Sequence, residues 1–232
     1  MDDEDILKSF PRTRTSKKSS TTQLRIIDAY LKLMETVDFD KVTVSDIVQL
    51  AGVTRSTFYA YFEDIYDALE YVENELVAHM PHPKDILAAS PLGRPSHAPS
   101  ASECDAPAWY AEWFGYVEYF QWQLDVLLSP HGNPQFPHKI RNAIREAHHM
   151  QMRLDGFVAE ELQDWLLNAL AEFQLRIAKE FVRACRSNES AAIDMPVYAL
   201  NTIRVGGLYL RFIDSSKGND VDDPRNYQST SS

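Results

Sequence analysis

Apolar residues recur along most of this chain every three or four positions, the spacing that places them on one face of a helix. Leu24, Ile27, Leu31 and Met34 form the first such stripe. The same kind of spacing, or a dense run of apolar residues, predicts further helices over residues 65–76, 108–129, 137–154, 157–186 and 195–213. The pattern as a whole predicts an all-α protein.

Two short helices separated by one glycine are predicted at residues 43–62. Thr43 precedes the first apolar stripe and Asp46 follows three residues later, an acidic version of the capping box that begins a helix. Gly52 comes just after the last apolar residue, where a left-handed conformation ends a helix and glycine adopts it at little cost. Thr54 then caps a second helix. This arrangement is typical of a helix-turn-helix.

The second helix has an outward face that suits the major groove of DNA. Phe58 and Phe62 are four residues apart and turn inward, so Arg55, Ser56 and Tyr59 project outward on a face without acidic residues. An arginine can bind a guanine edge or a phosphate, and hydroxyls bind phosphates. The alternative is that this face is only solvated. The predicted DNA-binding residues are Thr43, Thr54, Arg55, Ser56, Thr57, Tyr59 and Tyr61.

Residues 22–76 resemble the DNA-binding domain of TetR-family transcriptional regulators. The resemblance rests on Leu24–Lys41, on Thr43–Phe62 with its Ala-Gly-Val-Thr and Thr-Phe-Tyr sequences, and on the run Phe62–Leu69. Where the family usually has a lysine that touches the DNA backbone, this chain has Ile65. The resemblance implies a homodimeric regulator of bacterial type, usually a repressor that a ligand releases from DNA, in which the last two helices of each subunit form a four-helix bundle.

Charge is divided unevenly along the chain. The net charge is −11, which is unusual for a protein that binds phosphates. Residues 8–62 nevertheless carry nine basic and five acidic residues, whereas residues 63–80 carry six acidic residues and neither lysine nor arginine. The acidic body either opposes nonspecific association with DNA or only keeps the protein soluble.

Composition changes divide the chain into five parts. Residues 1–21 lack hydrophobic periodicity and predict a flexible arm, which either enters a minor groove or is a disordered tail. The predicted parts are this arm, a DNA-binding domain at 22–80, a proline-rich loop at 81–107, a helical effector-binding and dimerisation domain at 108–214, and a disordered tail at 215–232.

The helix predicted at 108–129 carries aromatic rings on nearly every side. Such rings either line a pocket for a small-molecule effector or form a plain aromatic core, and the sequence leaves both open. The candidate ligand-binding residues are Trp109, Trp113, Tyr116 and Phe120. Two glycines in the last helix indicate a close helix crossing, since glycine is otherwise unfavourable there. The candidate dimer-interface residues are Phe173, Ile177, Phe181, Ile203, Gly207 and Leu210.

No pattern in the sequence indicates an enzyme. There is no nucleophile elbow, phosphate-binding glycine loop or zinc-ligand spacing, so we expect neither a catalytic residue, a metal nor a cofactor. Two widely separated cysteines, an acidic N-terminus and the lack of a long apolar run predict a cytoplasmic protein without a membrane segment.

We therefore expect a ligand-responsive repressor that binds a palindromic operator in double-stranded DNA as a dimer. The alternative, which Ile65 and the acidic body favour, is a TetR-like co-regulator that acts through protein contacts without strong DNA binding.

Overall fold

The computed structural model describes residues 17–81, 108–154, 160–187 and 193–203, together with residues 106 and 206. All regular secondary structure within these ranges is helical, which confirms the all-α prediction. Most of the predicted arm and proline-rich loop, the C-terminal tail, Gly207 and Leu210 lie outside the described residues. The helices are α1 (Lys17–Met34), α2 (Val44–Ala51), α3 (Arg55–Tyr59), α4 (Ile65–Ala78), α5 (Ala108–Tyr119), α6 (Gln121–Leu127), α7 (Phe136–Leu154), α8 (Glu160–Arg186) and α9 (194–203).

Helices α1 to α4 surround the N-terminal part of the core. The stripe predicted on α1 is confirmed, because Ile27, Leu31 and Met34 are buried and Leu24 is half-buried. The hydroxyl of Tyr30, also on α1, donates to the carbonyl of Phe39 across 3.0 Å and so fixes the chain that leaves the helix. Leu69, Val72 and Leu76 give α4 a buried face as the sequence predicts.

Two helix boundaries differ from the prediction. Helix α1 begins at Lys17, inside the segment predicted as a flexible arm, because polar residues without apolar periodicity still extend a helix whose later turns are buried. The single helix predicted at 108–129 is two, α5 and α6, with Phe120 between them. Backbone hydrogen bonds continue across Phe120, to Tyr116 and from Leu124, but the torsion angles of Phe120 (φ −98°, ψ 20°) interrupt the regular helix.

The C-terminal part of the core lies between α5, α6, α7 and α8. Helix α8 buries Leu167, Ala171, Leu175, Ala178 and Val182. Helix α8 is apolar on two sides, and only contacts with α5, α6 and α7 decide which of them is covered. Phe173 and Ile177, two of the candidate dimer-interface residues, are less buried than these side chains.

Two sets of contacts join the helix-turn-helix part to the helices that follow. The indole of Trp122 on α6 donates to Glu35 at the end of α1 (2.6 Å), and the backbone N–H of Phe39 donates to the carbonyl of His131 (2.9 Å). The hydroxyl of Tyr116 on α5 donates to the carbonyl of Leu76 on α4 across 2.9 Å. Movement of α5 or α6 is thereby linked to α1 and α4.

A buried carboxylate strengthens the connection between α4 and α7. Glu73 is 1% exposed, and its carboxylate lies 2.9 Å from the Nζ atom of Lys139 and accepts a hydrogen bond of 3.0 Å from Asn133. In the sequence Glu73 is one of six acidic residues at 63–80, and no local pattern sets it apart from the others. Its burial follows from a partner 66 residues away in the chain.

Candidate nucleic-acid interface

Local capping fixes both ends of α2. The backbone N–H of Thr43 donates to the Asp46 carboxylate (3.1 Å), and the N–H of Asp46 donates to the Thr43 hydroxyl (3.3 Å), so the predicted capping box is confirmed. At the other end Gly52 has φ 63° and ψ 39°, the left-handed conformation expected for a helix terminus. The turn into α3 is therefore set by residues close in sequence.

Arg25 on α1 also holds this turn, a role that the sequence did not indicate. Its guanidinium donates to the carbonyl of Ala51, one of the carbonyls that the end of α2 leaves without a helical partner. The Nη2 atom would lie 3.1 Å from a Cβ atom at Gly52. Since Arg25 precedes Ala51 by 26 residues, local spacing gives no indication of this contact.

Hydroxyl groups cluster at the start of α3. The Thr54 hydroxyl accepts a hydrogen bond from the N–H of Thr57 (3.1 Å), which confirms Thr54 as the cap. The same oxygen lies 2.9 Å from the Ser56 hydroxyl and 2.8 Å from the Thr57 hydroxyl. Thr54 and Ser56 are exposed and Thr57 is half-buried, so the cluster can exchange internal hydrogen bonds for bonds to phosphate oxygens.

The predicted orientation of α3 is confirmed. Phe58 and Phe62 are buried, and their rings pack 5.8 Å apart. Arg55 is exposed and Tyr59 is 57% exposed, on a helix without acidic residues. The Arg55 guanidinium donates to the Ser45 hydroxyl of α2 and keeps further N–H groups for another acceptor.

The side chains of the remaining predicted DNA-binding residues are less available for contact with a nucleic acid. Thr43 is at the surface, but its hydroxyl is engaged with the Asp46 carboxylate at 2.6 Å. Tyr61 is half-buried and packs against the core. Ile65, at the position where a lysine was expected, also packs against the core, while Asp64 caps α4 by accepting from two backbone N–H groups.

Arg55 is the only lysine or arginine between residues 42 and 80. Lys41, just before this segment, is already paired with Asp38. Within residues 42–80, Arg55 is therefore the one basic side chain that a phosphate could contact.

The four candidate ligand-binding rings are buried in the C-terminal core. Trp109, Trp113, Tyr116 and Phe120 are each less than 9% exposed. A void of about 10 Å³ borders Trp113 and Tyr116, close to the smallest volume that holds one water. The four rings therefore form a packed core, and a ligand would have to separate the helices to reach them.

The candidate dimer residues are divided between surface and core. Phe181 is 4% exposed and its ring packs 5.8 Å from that of Phe114, so it stabilises one subunit and is not available to a second. This corrects its assignment to the dimer interface. Phe173 is 38% exposed on α8, and Ile177 and Ile203 are half-buried. Three further apolar side chains are exposed, Trp165 on α8 and Met195 and Tyr198 on α9.

Comparison with known proteins identifies the N-terminal part. Residues 26–72 match the model of the tetR family of bacterial regulatory proteins. Within this range the chain is therefore similar to the tetR family. Over 60 residues the chain is 40% identical to the HTH-type dhaKLM operon transcriptional activator DhaS of Lactococcus lactis subsp. lactis (strain IL1403), a match that covers 25% of this chain and 32% of the activator. The similarity thus spans about a third of that relative.

Solved structures show that the TetR-like fold extends beyond the DNA-binding domain. A TetR transcriptional regulator from Streptococcus agalactiae 2603V is similar with a TM-score of 0.54 and 19% identity, over 81% of this chain and 95% of that one. The dihydroxyacetone kinase operon activator DhaS is similar with a TM-score of 0.50 and 18% identity, over 82% of this chain and 96% of that one. At these identities the likeness concerns the fold alone.

Within the described ranges, no group of three or more His, Cys, Asp or Glu side chains is placed to hold a metal ion. None of the described helices is both long and apolar enough to span a membrane.

Proposed function

We propose that this protein is a ligand-responsive transcriptional repressor that binds a palindromic operator as a homodimer. The observation that supports it most is the outward face of α3, where Arg55 and Tyr59 are exposed beside the hydroxyls of Thr54 and Ser56. These groups supply a guanidinium for base or phosphate contact and several donors for phosphates. The match to an activator covers only 60 residues, a quarter of this chain, and so does not set the direction of regulation.

The spacing of half-sites in DNA supports a homodimer. Two recognition helices engage two half-sites when they lie about 34–36 Å apart, one turn of the double helix. Exposed apolar residues on the last helices support a subunit interface there, in particular Phe173 on α8 and Met195 and Tyr198 on α9, the latter two 71% and 72% exposed. Covering such side chains stabilises association by the hydrophobic effect.

Contacts between the two parts of the chain give a route for a ligand response. Helix α5 is joined to α4 by the bond from Tyr116 to Leu76, and α4 is joined to α7 by Glu73 and Lys139. A ligand that binds better when α5 and α7 are apart would favour another position of α4 and another separation of the recognition helices.

The test is electrophoretic retardation of the DNA upstream of the protein's own gene, measured over a series of salt concentrations. We expect retardation to weaken with salt, with a slope of about 0.9 for each phosphate contact. Arg55→Ala and Tyr59→Ala should each weaken specific binding, the former by about 1–3 kcal/mol if a bidentate base contact is lost. Arg145→Ala is the matched control, because it removes the same charge from an exposed ion pair between α7 and α8.

A second function is favoured by the shortage of cations in the helix-turn-helix. With Arg55 alone between residues 42 and 80, and Ile65 turned to the core, DNA contact could be too weak for repression. The chain would then be a co-regulator that acts through protein contacts. Salt-dependent retardation that Arg55→Ala removes contradicts this second function, whereas unretarded DNA at low salt contradicts the first. A promoter fusion that loses expression when the gene is deleted would show activation instead of repression.

A further inference from the structure

Arg55 has a hydrogen-bond partner on the neighbouring helix of the helix-turn-helix. Its Nη2 atom donates to the Oγ atom of Ser45, which lies ten residues earlier, on α2. Ser45 is half-buried, and Arg55 is exposed at the first position of α3. An exposed arginine otherwise moves among many rotamers, so this bond limits the directions in which the guanidinium points. Ser45 is not among the residues that the sequence predicts to bind DNA.

The backbone holds the Ser45 hydroxyl at a fixed place relative to α3. Ile47 of α2 and Phe58 of α3 are each 0% exposed and belong to the same core, so the inner faces of both helices are anchored. Between the two helices, Gly52 has the left-handed torsion angles that set the turn. The acceptor on Ser45 and the backbone of Arg55 therefore do not move independently.

The acceptor is neutral, which leaves the positive charge of Arg55 uncompensated. Asp46, the next residue on α2, is turned away, because its carboxylate accepts from the hydroxyl of Thr43 at 2.6 Å and from the backbone N–H of Thr43 at 3.1 Å. Among the residues that the structure describes, no carboxylate forms an ion pair with Arg55. A carboxylate in place of the Ser45 hydroxyl would also hold the guanidinium, but it would cancel the charge that attracts DNA.

One two-pronged edge of the Arg55 guanidinium stays free. Arginine carries five N–H groups, and two different pairs of them can each bind two acceptors side by side. Both pairs include an N–H of Nη2. Because each Nη2 hydrogen belongs to one pair only, the bond to Ser45 uses one pair and leaves the other complete. The O6 and N7 atoms of guanine are the matching acceptors in the major groove.

We infer that Ser45 is a specificity-determining residue of the DNA interface, which positions Arg55 for a bidentate contact with a guanine. Ser45 acts through the direction that it gives to the guanidinium. Its removal therefore weakens the recognition of guanine and leaves the charge of the protein unchanged. This role rests on the proposed function, because α3 must enter the major groove.

Two forms of one DNA fragment test this role. The fragment is the region upstream of the protein's own gene, amplified either with ordinary dGTP or with 7-deaza-dGTP. The second form lacks the guanine N7 acceptor in the major groove and keeps the phosphates, the sequence and the base pairing. The dissociation constants of the full-length protein for both forms are measured by retardation. Their ratio is the N7 preference.

For the wild type we expect an N7 preference of about tenfold, from one lost hydrogen bond to a charged donor. Ser45→Ala should bind the ordinary fragment about fivefold more weakly and lower the N7 preference to about twofold, close to that of Arg55→Ala. Its salt dependence should equal that of the wild type, because no charge is removed. Ser45→Thr keeps the hydroxyl and should keep the preference. Ser187→Ala, the matched control, removes a hydroxyl that bonds to the carbonyl of Ala184 and should change neither value.

The role of Ser45 is overturned if Ser45→Ala keeps the wild-type N7 preference, or if Ser45→Thr recognises guanine no better than Ser45→Ala. It is also overturned if the wild type has no N7 preference, a measurement that needs no variant. In that case Arg55 binds a phosphate, and Ser45→Ala should weaken both forms of the fragment equally. Retarded DNA without an N7 preference removes this role alone and leaves the proposed function standing, whereas DNA that is not retarded at low salt removes the proposed function.

Discussion

The buried carboxylate of Glu73 gives a prediction whose magnitude depends on which partner is removed. Glu73 is 1% exposed, whereas the side chain of Lys139 is 34% exposed. In Lys139→Met the carboxylate stays buried and keeps only its bond from Asn133. We expect a loss of about 3 kcal/mol in the free energy of unfolding, the lower end for a buried charge without its partner. In Glu73→Gln the lysine reaches water and the amide still accepts from Asn133, so we expect a loss of about 1 kcal/mol.

The measurement is urea unfolding followed by far-ultraviolet circular dichroism, at one protein concentration because association adds to stability. The double variant Glu73→Leu with Lys139→Met should be more stable than Lys139→Met alone, since apolar residues in place of a buried ion pair are often neutral or stabilising. Lys41→Met is the matched control. It breaks the exposed pair with Asp38, and we expect no measurable loss of stability from this change.

The result that would refute this reasoning is a cost for Glu73→Gln equal to or greater than that for Lys139→Met. Desolvation of Glu73 would then not be the controlling effect, and the contact between α4 and α7 would depend on the shape of the glutamate side chain. A double variant no more stable than Lys139→Met would lead to the same conclusion.

Three further predictions concern other parts of the fold. Gly132→Ala should cost about 2 kcal/mol in urea unfolding, because the new Cβ atom would lie 2.1 Å from the carbonyl oxygen of Leu127, whereas Gly115→Ala, with nothing within 4 Å, should be neutral or stabilising. Burial lowers the pKa of His148 from 6.5 to about 4, so the folded state binds fewer protons than the unfolded chain between these pH values. The free energy of unfolding of the wild type should therefore fall as the pH is lowered from 6.5 towards 4. This fall should exceed that in His148→Leu by up to about 3 kcal/mol. Phe173→Glu should shift sedimentation towards monomer if α8 forms the dimer interface, and a variant that stays dimeric would place the interface elsewhere.

Much of the helix-turn-helix follows from interactions between residues close in sequence. Thr43 and Asp46 cap each other across three residues, Gly52 supplies the left-handed turn, and the four-residue spacing of Phe58 and Phe62 directs the opposite side of α3 outward. Capping, glycine torsion angles and helical periodicity act over one or two turns. The sequence therefore predicted these boundaries and the orientation of the outward-facing side chains of α3 before any distant contact was known.

Other features depend on residues that the chain brings together from far apart. Arg25 caps the end of α2, Lys139 draws Glu73 into the interior, and His148 pairs with Gln174. Nothing in the local sequence distinguishes these side chains from solvated polar residues.

The choice of face on α8 shows the same limit. Its sequence is apolar on two sides, and from the sequence both Phe173 and Phe181 were candidates for the dimer interface. In the structure Phe181 is buried beside Phe114 and Phe173 is exposed, because the rotation of a helix is set by the neighbours that exclude water from it. The sequence alone determined that α8 is a helix with apolar faces. Only packing against α5, α6 and α7 decided which face forms the core.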